Sequence, residues 1–375
     1  MPALSRVLII GGGPAGLSAA IGLRQAGVEH VEVAERTDGS AVIGSELSVS
    51  GPMLRALDQI GMAERFVEAG VAVTQVRLLT ATGGEIASIP IQPAHRPELP
   101  PTIGMTRPNL HRVLEQGARA AGAEVRMSVR PSAIRQDGDT AEVTFHDGGR
   151  ERYELVIGAD GYQSDTRRMV FPEAAEPAYL GQMAWRARVP RLDSPRLDLY
   201  HGHGRKAGYI TVTEDSAYIF VLEVASEPQR VAREQLPVRL REALGEFGGD
   251  VAAVRDSIVN PDEIHLSPLC PLILPPPWHR GRVLLIGDAA HATSPHLAYG
   301  AGLAVEDGVI LGELARAHAE VGELLAEFTQ RRYERCRMAV ENAAQLSQLE
   351  QLSDIPGPEY MGLMGQSLAA LAAPI

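Results

Sequence analysis

A chain of 375 residues has room for two domains of ordinary size and a sizeable core, which excludes small disulfide-stapled scaffolds. Hydrophobic residues at 45% and charged residues at 22% match folded globular proteins and exclude disordered and fibrous classes. With 47 acidic against 35 basic residues, the net charge of -12 repels phosphate backbones and anionic lipid, so no nucleic-acid partner is expected. Val7–Ile10 is too short for a signal segment and nowhere do 18 apolar residues run together, so a cytoplasmic protein without integral membrane contact is expected. Cys270 and Cys336 lie far apart, outside any metal-ligand spacing, and read as reduced bystanders with no metal site. Lys206 is the only lysine.

Residues 4–35 read as a βαβ unit: a buried strand at Leu8–Ile10, a glycine turn, a helix with Leu17, Ala20, Ile21 and Leu23 inward, Gly27 as its stop, then a strand at His30–Glu35. A second helix is predicted from Pro108 to Ala121, with Thr106 as N-cap and Gly122 beyond its end. Turn chemistry predicts hairpins at Val73–Ile91, Ala141–Leu155 and Ala207–Leu222. From about residue 177 to Cys270 the pattern is strand-like, with one charged helix near Gln229–Leu244, and Pro271 and Pro275–Pro277 mark a crossing back. A strand at Val283–Ile286 and helices at roughly Gly300–Ala319 and Gly322–Leu352 follow. The expected fold is α/β: a Rossmann-like domain with a parallel sheet from residues 1–73, 102–176 and 270–355, interrupted by a mixed β-sheet domain from 74–101 and 177–269. C-terminal helices follow, and 356–375 form a tail.

In Gly11-Gly12-Gly13-Pro14-Ala15-Gly16 the pattern G-x-G-x-x-G follows a strand and opens a helix, so backbone N–H groups and the helix dipole can meet a pyrophosphate. Glu35, with Arg36 beside it, ends the second strand where a carboxylate can take both hydrogens of a ribose diol. This is a dinucleotide site. Downstream, Val283–Ile286 runs into Gly287 and Asp288, and a carboxylate there suits a polyol such as a ribityl chain. The loop Pro295–Gly302 leads into a helix whose N-terminal dipole suits the anionic edge of a reduced flavin. A generic buried strand ending in an N-cap aspartate would look the same when taken alone.

Three motifs together resemble the single-component FAD-dependent aromatic hydroxylases of the para-hydroxybenzoate hydroxylase type. They are the glycine motif with Glu35, Gly158-Ala159-Asp160-Gly161 with Ser164 and Arg167, and Gly287-Asp288 with Pro295 and Gly300. The resemblance spans residues 5 to about 315 and implies noncovalent FAD with Asp288 on the ribityl chain, Asp160 at the groove shared by flavin and nicotinamide, and Arg107 against the flavin. Pro295, Gly300 and Ala301 belong to the same loop. The chain departs from the family at Ala298-Tyr299-Gly300, where Gly-Gln-Gly is usual, giving a bulkier loop in which Tyr299 either faces substrate or braces. Ser48 stands where some relatives have histidine or glutamine and is too weak a base to replace them.

By resemblance the reaction is hydroxylation of a small phenolic or heteroaromatic substrate. NADH or NADPH reduces FAD, O2 forms a C4a-hydroperoxide, and its terminal oxygen is transferred; the protein would be a monomer or homodimer. Candidate catalytic residues are Tyr209, Arg205, His203 and His296, with His201, His203 and His296 as proton acceptors near neutral pH. Tyr209 either orients a phenol or closes a hydrophobic cluster, and Trp185 is either a sheet-core aromatic or a substrate platform. Rival readings are a flavin reductase or dehydrogenase, a halogenase relaying hypohalous acid through Lys206, an NAD-dependent dehydrogenase, and a noncatalytic FAD-binding scaffold.

Overall fold

The computed structural model describes residues 4–38, 47–202, 204–352 and 355–375. Its first layer is a six-stranded sheet in the order His279–Arg280, Val283–Leu285, Leu155–Gly158, Arg6–Ile10, His30–Glu35, Glu124–Met127. All neighbours are parallel except the first pair. Parallel strands buried on both faces read as continuous apolar runs, as Val7–Ile10 and Leu155–Ile157 do. The helices Pro14–Gln25 and Gly300–Ala317 cross tightly, because a Cβ on Gly22 would overlap the Gly308 carbonyl and one on Gly312 would meet Gly22. The predicted helix after Thr106 spans Arg107–Ala120, and the Thr106 side chain accepts from Asn109 N at 3.2 Å.

The second layer is a seven-stranded mixed sheet in the order Ile264–Pro268, Gln182–Pro190, Ser216–Val224, Arg205–Thr211, Leu197–Gly202, Gln75–Thr80, Glu85–Pro90. The hairpin at 75–90 thus joins strands more than a hundred residues later, through a parallel pairing of Leu199 with Leu78. One face of this sheet buries Trp185, Tyr200, Tyr209 and Ile219 against the helices Leu236–Ala243 and Gly249–Arg255. The charged helix predicted near Gln229–Leu244 is confined to Leu236–Ala243, and a second short helix, not predicted, starts at Gly249, which takes φ +55.

The C-terminal residues expected as a tail include the helix Pro358–Ala372, which buries Tyr360, Ser367 and Leu371 and packs on the long helix Val321–Gln351. Among the described residues no helix is long and apolar enough to cross a membrane.

Candidate active site

The glycine turn borders a crevice of about 300 Å³ lined by Gly11–Gly13, Glu35, Arg36, Arg130 and Asp160 among others. Its glycines differ in what requires them. A Cβ on Gly11, at φ +112, would overlap the Ala159 carbonyl, and one on Gly16 would overlap the Gly11 carbonyl, so the first lets the turn pass the end of the neighbouring strand and the second lets the helix pack on the turn. A Cβ on Gly13 would meet nothing within 4 Å, so the space before it is left open by the protein. The helix that starts at Pro14 has no side-chain cap and no acid in its first turn, leaving its amino-terminal N–H groups aimed at that space. Glu35 is anchored by accepting from Gly12 N through Oε2 and from Thr37 N and Oγ1 through Oε1, each at 2.8 Å. Oε1 is then saturated, and one acceptor site remains on Oε2.

Asp160 lines the same crevice, but its carboxylate is engaged within its own turn: it accepts from Ser164 Oγ and, at 2.9 Å, from Thr166 N and Oγ1. Arg167 is buried and donates to the carbonyls of Tyr162 at 2.7 Å and Ala289 at 3.1 Å, tying this turn to the Gly287–Asp288 segment.

Gly287, at φ +57, packs where a Cβ would press on Ala15 at 2.7 Å, so the third motif abuts the first. Protein surrounds Asp288 on most sides, yet its side chain reaches solvent, the situation of a carboxylate in a cleft wall. Burial pushes its carboxyl up, and the nearby His291 and Arg107 pull it back. Asp307 holds this turn from the neighbouring helix, accepting from Gly287 N at 2.8 Å and pairing with His291 Nε2 at 2.7 Å. Arg332 Nε lies 2.7 Å from Asp307 Oδ1, and Glu306 beside it pairs with Arg332 and Arg335. His291 and Arg332 hold Asp307 below the usual carboxylate range despite its burial. His291, Asp307 and Cys336 lie close enough to ligate a metal, but Arg332 is already the cation there. Tyr299 turns inward to donate to Glu306 at 2.7 Å, so it braces the loop and does not face substrate. Ala298 takes the left-handed conformation at φ 50, and the Gly300–Ala317 helix then starts at Gly300 without a side-chain cap or an acid in its first turn. Pro295 opens the loop and Ala301 is half-buried in the first helical turn.

On the mixed sheet the structure corrects the expected substrate contacts. Successive residues of a strand face opposite ways, so parity decides which reach the cleft. Tyr209 lies on the helix-backed face, fully buried, with its Oη accepting from Leu192 N at 2.7 Å; it closes a hydrophobic cluster. Arg205 shares that parity and pairs with Glu223 at 3.3 Å and Glu246 at 3.5 Å. Trp185 is a core aromatic whose Nε1 donates to Glu223 at 3.0 Å. The opposite face presents Lys206, Gly208 and Ile210, with Leu199, Phe220 and Arg186 in register beside Gly208. His296 is buried in the ring loop, and burial holds its imidazole below the ordinary range. Ser48 is half-buried opposite Gly104, and His203 lies outside the described residues.

The sequence pattern of the FAD binding domain family matches residues 5–343. The 2-heptyl-3-hydroxy-4(1H)-quinolone synthase of Pseudomonas aeruginosa is 32% identical over 312 residues, 82% of this chain and 80% of that protein. A FAD-dependent urate hydroxylase of Mycolicibacterium vanbaalenii is 30% identical over 88% of this chain and 85% of its own length. The crystal structure of Klebsiella pneumoniae HpxO complexed with FAD and uric acid superposes with a TM-score of 0.85 at 24% identity, covering 98% of this chain and 97% of that one, and so shares the fold. This chain belongs to the FAD binding domain family. It is a flavoprotein monooxygenase with the fold of the para-hydroxybenzoate hydroxylase-like enzymes.

The residues present fit FAD. The open space before Gly13 and the uncapped helix amino end match a charged diphosphate, and the spare acceptor site on Glu35 Oε2 matches a ribose hydroxyl. For this flavoprotein the sequence reading missed Glu306, Asp307, Arg332 and Arg335, although one signal was available. Two adjacent acids sit in the otherwise apolar stretch Leu303–Leu311, and buried acids require cations. It also missed Glu350 and Tyr360 as partners of Lys206, and there no local signal existed, since the three residues meet only in the tertiary fold.

Proposed function

We propose that this flavoprotein monooxygenase consumes NADH or NADPH and O2 to hydroxylate a small phenolic or heteroaromatic substrate. On this reading residues 1–73, 102–176 and 270–355 form the FAD-binding domain and residues 74–101 and 177–269 the substrate-binding domain. Gly11, Gly13, Ala15 and Gly16 with the first helix would hold the diphosphate, and Glu35 and Arg36 the adenosine ribose. Asp288 and Arg107 would hold the ribityl arm, and Pro295, Gly300 and Ala301 the ring edge. Bound FAD supplies electron transfer from the nicotinamide and activation of dioxygen. What the chain itself supplies is a flat, largely apolar wall. Phe220 covers Gly208, where a Cβ would overlap its ring, and Leu199 beside Gly208 and Ile210 two residues on continue the apolar surface along the sheet. Such a wall orients a planar ring and keeps out water, which would otherwise divert activated oxygen to hydrogen peroxide.

That apolar face, opposite the helix-backed core, is the observation that carries the reading. The names of the relatives, a quinolone synthase and a urate hydroxylase, support a planar heteroaromatic substrate. Lys206 counts against a halogenase, because Glu350 and Tyr360 hold the sole lysine as an ammonium, which has no lone pair to take up hypohalous acid. The sequence has a single G-x-G-x-x-G motif, which supports transient nicotinamide binding without a second Rossmann domain.

The test is a panel of phenols, hydroxybenzoates, hydroxypyridines and quinolones presented to the yellow holoenzyme, with NAD(P)H and O2 consumption and product mass followed together. A product heavier by one oxygen atom per nicotinamide oxidised is expected. Nicotinamide oxidation that yields only peroxide with every compound would point to a reductase and overturn the proposal.

A further inference from the structure

The side of the mixed sheet opposite its helices ends in a second buried polar cluster, to which three strands, two helices and the loop after Ser294 contribute. Lys206, 5% exposed, donates from Nζ to Glu350 Oε2 at 2.8 Å on the long helix and to Tyr360 Oη at 3.3 Å on the C-terminal helix. Glu350, also 5% exposed, accepts through Oε1 from Gln182 Nε2 at 3.4 Å. His296 comes from the ring loop; its Nδ1 pairs with Ser294 Oγ at 2.9 Å, while Nε2 stops 3.6 Å from Glu350 Oε1, too far for a hydrogen bond. Nε2 has no hydrogen-bond partner among the described residues, although His296 is only 5% exposed.

An inventory of donors and acceptors shows the cluster incomplete. An ammonium has three N–H donors, and two of those on Lys206 are used. Glu350 Oε1 has one long bond and spare lone pairs. Buried polar groups are seldom left unpaired, so a ligand atom or water completes this site. Charge restricts what that atom can be. The titratable groups meeting here are Lys206, Glu350, His201, His296 and Tyr360. Burial and the neighbouring lysine hold His201 down at about 4, and burial holds His296 low, so neither is charged at neutral pH. Lys206 and Glu350 therefore cancel. A carboxylate brought here would leave a buried negative charge without a counter-ion, whereas an uncharged hydroxyl or lactam adds none.

We propose that Lys206 and Glu350 form the recognition pair for the substrate: an uncharged phenol, enol or lactam edge whose oxygen accepts from Lys206 Nζ and whose O–H or N–H donates to Glu350 Oε1. The pair discriminates against a ring carboxylate at this end of the cleft. This rests on the hydroxylase reading and on the shared parity of Lys206 with Gly208 and Ile210, which puts it on the apolar wall, and on His296, which joins it to the ring loop.

The experiment uses 4-fluorophenol as probe, bound to the FAD-loaded full chain, because its fluorine resonance reports ionisation without interference from flavin absorbance. The native protein is expected to bind the neutral phenol. Glu350→Gln leaves Lys206 uncompensated, and the bound probe should become more acidic by at least tenfold in ionisation constant. Lys206→Met should weaken the probe at least tenfold while flavin is retained, and Lys206→Arg should recover part of that loss. Should either single variant fail to fold, Lys206→Met with Glu350→Gln removes both charges. Removing both charges of a buried pair leaves neither charge uncompensated, so this variant is expected to fold and to show the same tenfold loss with the probe neutral. The proposal falls if the native protein binds the phenolate or does not bind the probe. It also falls if both substitutions leave probe affinity and ionisation unchanged, which would make the pair a purely structural tie. Oxygenated product from the compound panel alongside such a result would leave the hydroxylase reading standing. Probe shifts as expected with no oxygenated product would remove only the hydroxylase reading.

Discussion

Two buried charge clusters lie along the helix Val321–Gln351, and they are completed differently. Toward its middle Arg332 and Arg335 meet Glu306 and Asp307, and every carboxylate oxygen of that pair has a partner within 2.9 Å, including Tyr299, His291 and Gly287 N. Near its end Lys206, Glu350 and His296 leave a donor, an acceptor and a ring nitrogen unused. With its carboxylates saturated, the first network fixes the turn at Gly287 and the loop after Pro295, and only His291 Nδ1 there has no hydrogen-bond partner among the described residues. The second has valence left for something that comes and goes. Side by side, they separate the part of the molecule that holds a cofactor from the part that selects what is oxidised.

The comparison is broken most severely at Arg332. Arg332→Met removes a cation shared by Glu306 and Asp307 and leaves buried negative charge, a change expected to cost about 3–5 kcal/mol. The Gly287–Asp288 turn should loosen with it, so both thermal midpoint and FAD retention should drop; a variant with native midpoint and full flavin content would show that the network does not hold the turn. A milder loss is expected from Asp288→Ala, which leaves the network intact and removes one ligand. A charge-assisted hydrogen bond contributes about 1.5–3 kcal/mol, so FAD affinity should fall roughly ten- to a hundredfold at unchanged midpoint. Flavin fluorescence on dilution measures this, and unchanged retention would remove Asp288 from the site.

The two clusters also respond oppositely to pH. Burial lowers His201 from 6.5 to about 4 and lowers His296 as well, so the folded protein binds fewer protons than the unfolded chain in that interval. Stability should therefore fall as pH is lowered from 6.5 toward about 4, at roughly 1.4 kcal/mol per pH unit for each fully displaced proton. His291 in the first network works the other way. Burial alone would lower it, but Cys336 and Asp307 raise it well above 6.5, so its contribution is complete below 6.5 and is lost as pH rises through its folded value. Thermal midpoints at pH 5 and pH 7 for the native protein and His201→Gln test the first limb. The variant should lose less stability in acid, and parallel curves would place the acid sensitivity elsewhere.

How far all this is legible in sequence depends on range. The glycine turn, Glu35 and the capped helix after Thr106 are local, and each follows from residues within a few positions. The crossing of 75–90 into the later sheet is not local, yet the hairpin's alternation and turn residues mark it as strand. Strand parity on the mixed sheet was not legible. Arg205–Thr211 is buried along almost its whole length, so apolar alternation gives no sign of which face meets the cleft, and a one-residue error exchanged Tyr209 for Lys206. Equally hidden was Glu350, whose role depends on a helix ending against that sheet 144 residues away.

The smallest expected effect is the one that tests this parity directly. Tyr209→Phe keeps the ring in its cluster and removes an oxygen that accepts from Leu192 N at 2.7 Å and lies 3.5 Å from the Pro190 carbonyl. The Leu192 N–H is part-buried and can recover some hydration, so a loss of about 1 kcal/mol in stability is expected. Because the hydroxyl is on the helix-backed face, turnover, KM and the coupling of nicotinamide oxidation to product should not change. If turnover fell while the thermal midpoint held, the strand would be presenting Tyr209 to substrate, and the assignment of Lys206 to the cleft would fail together with it, since the two residues cannot share a face.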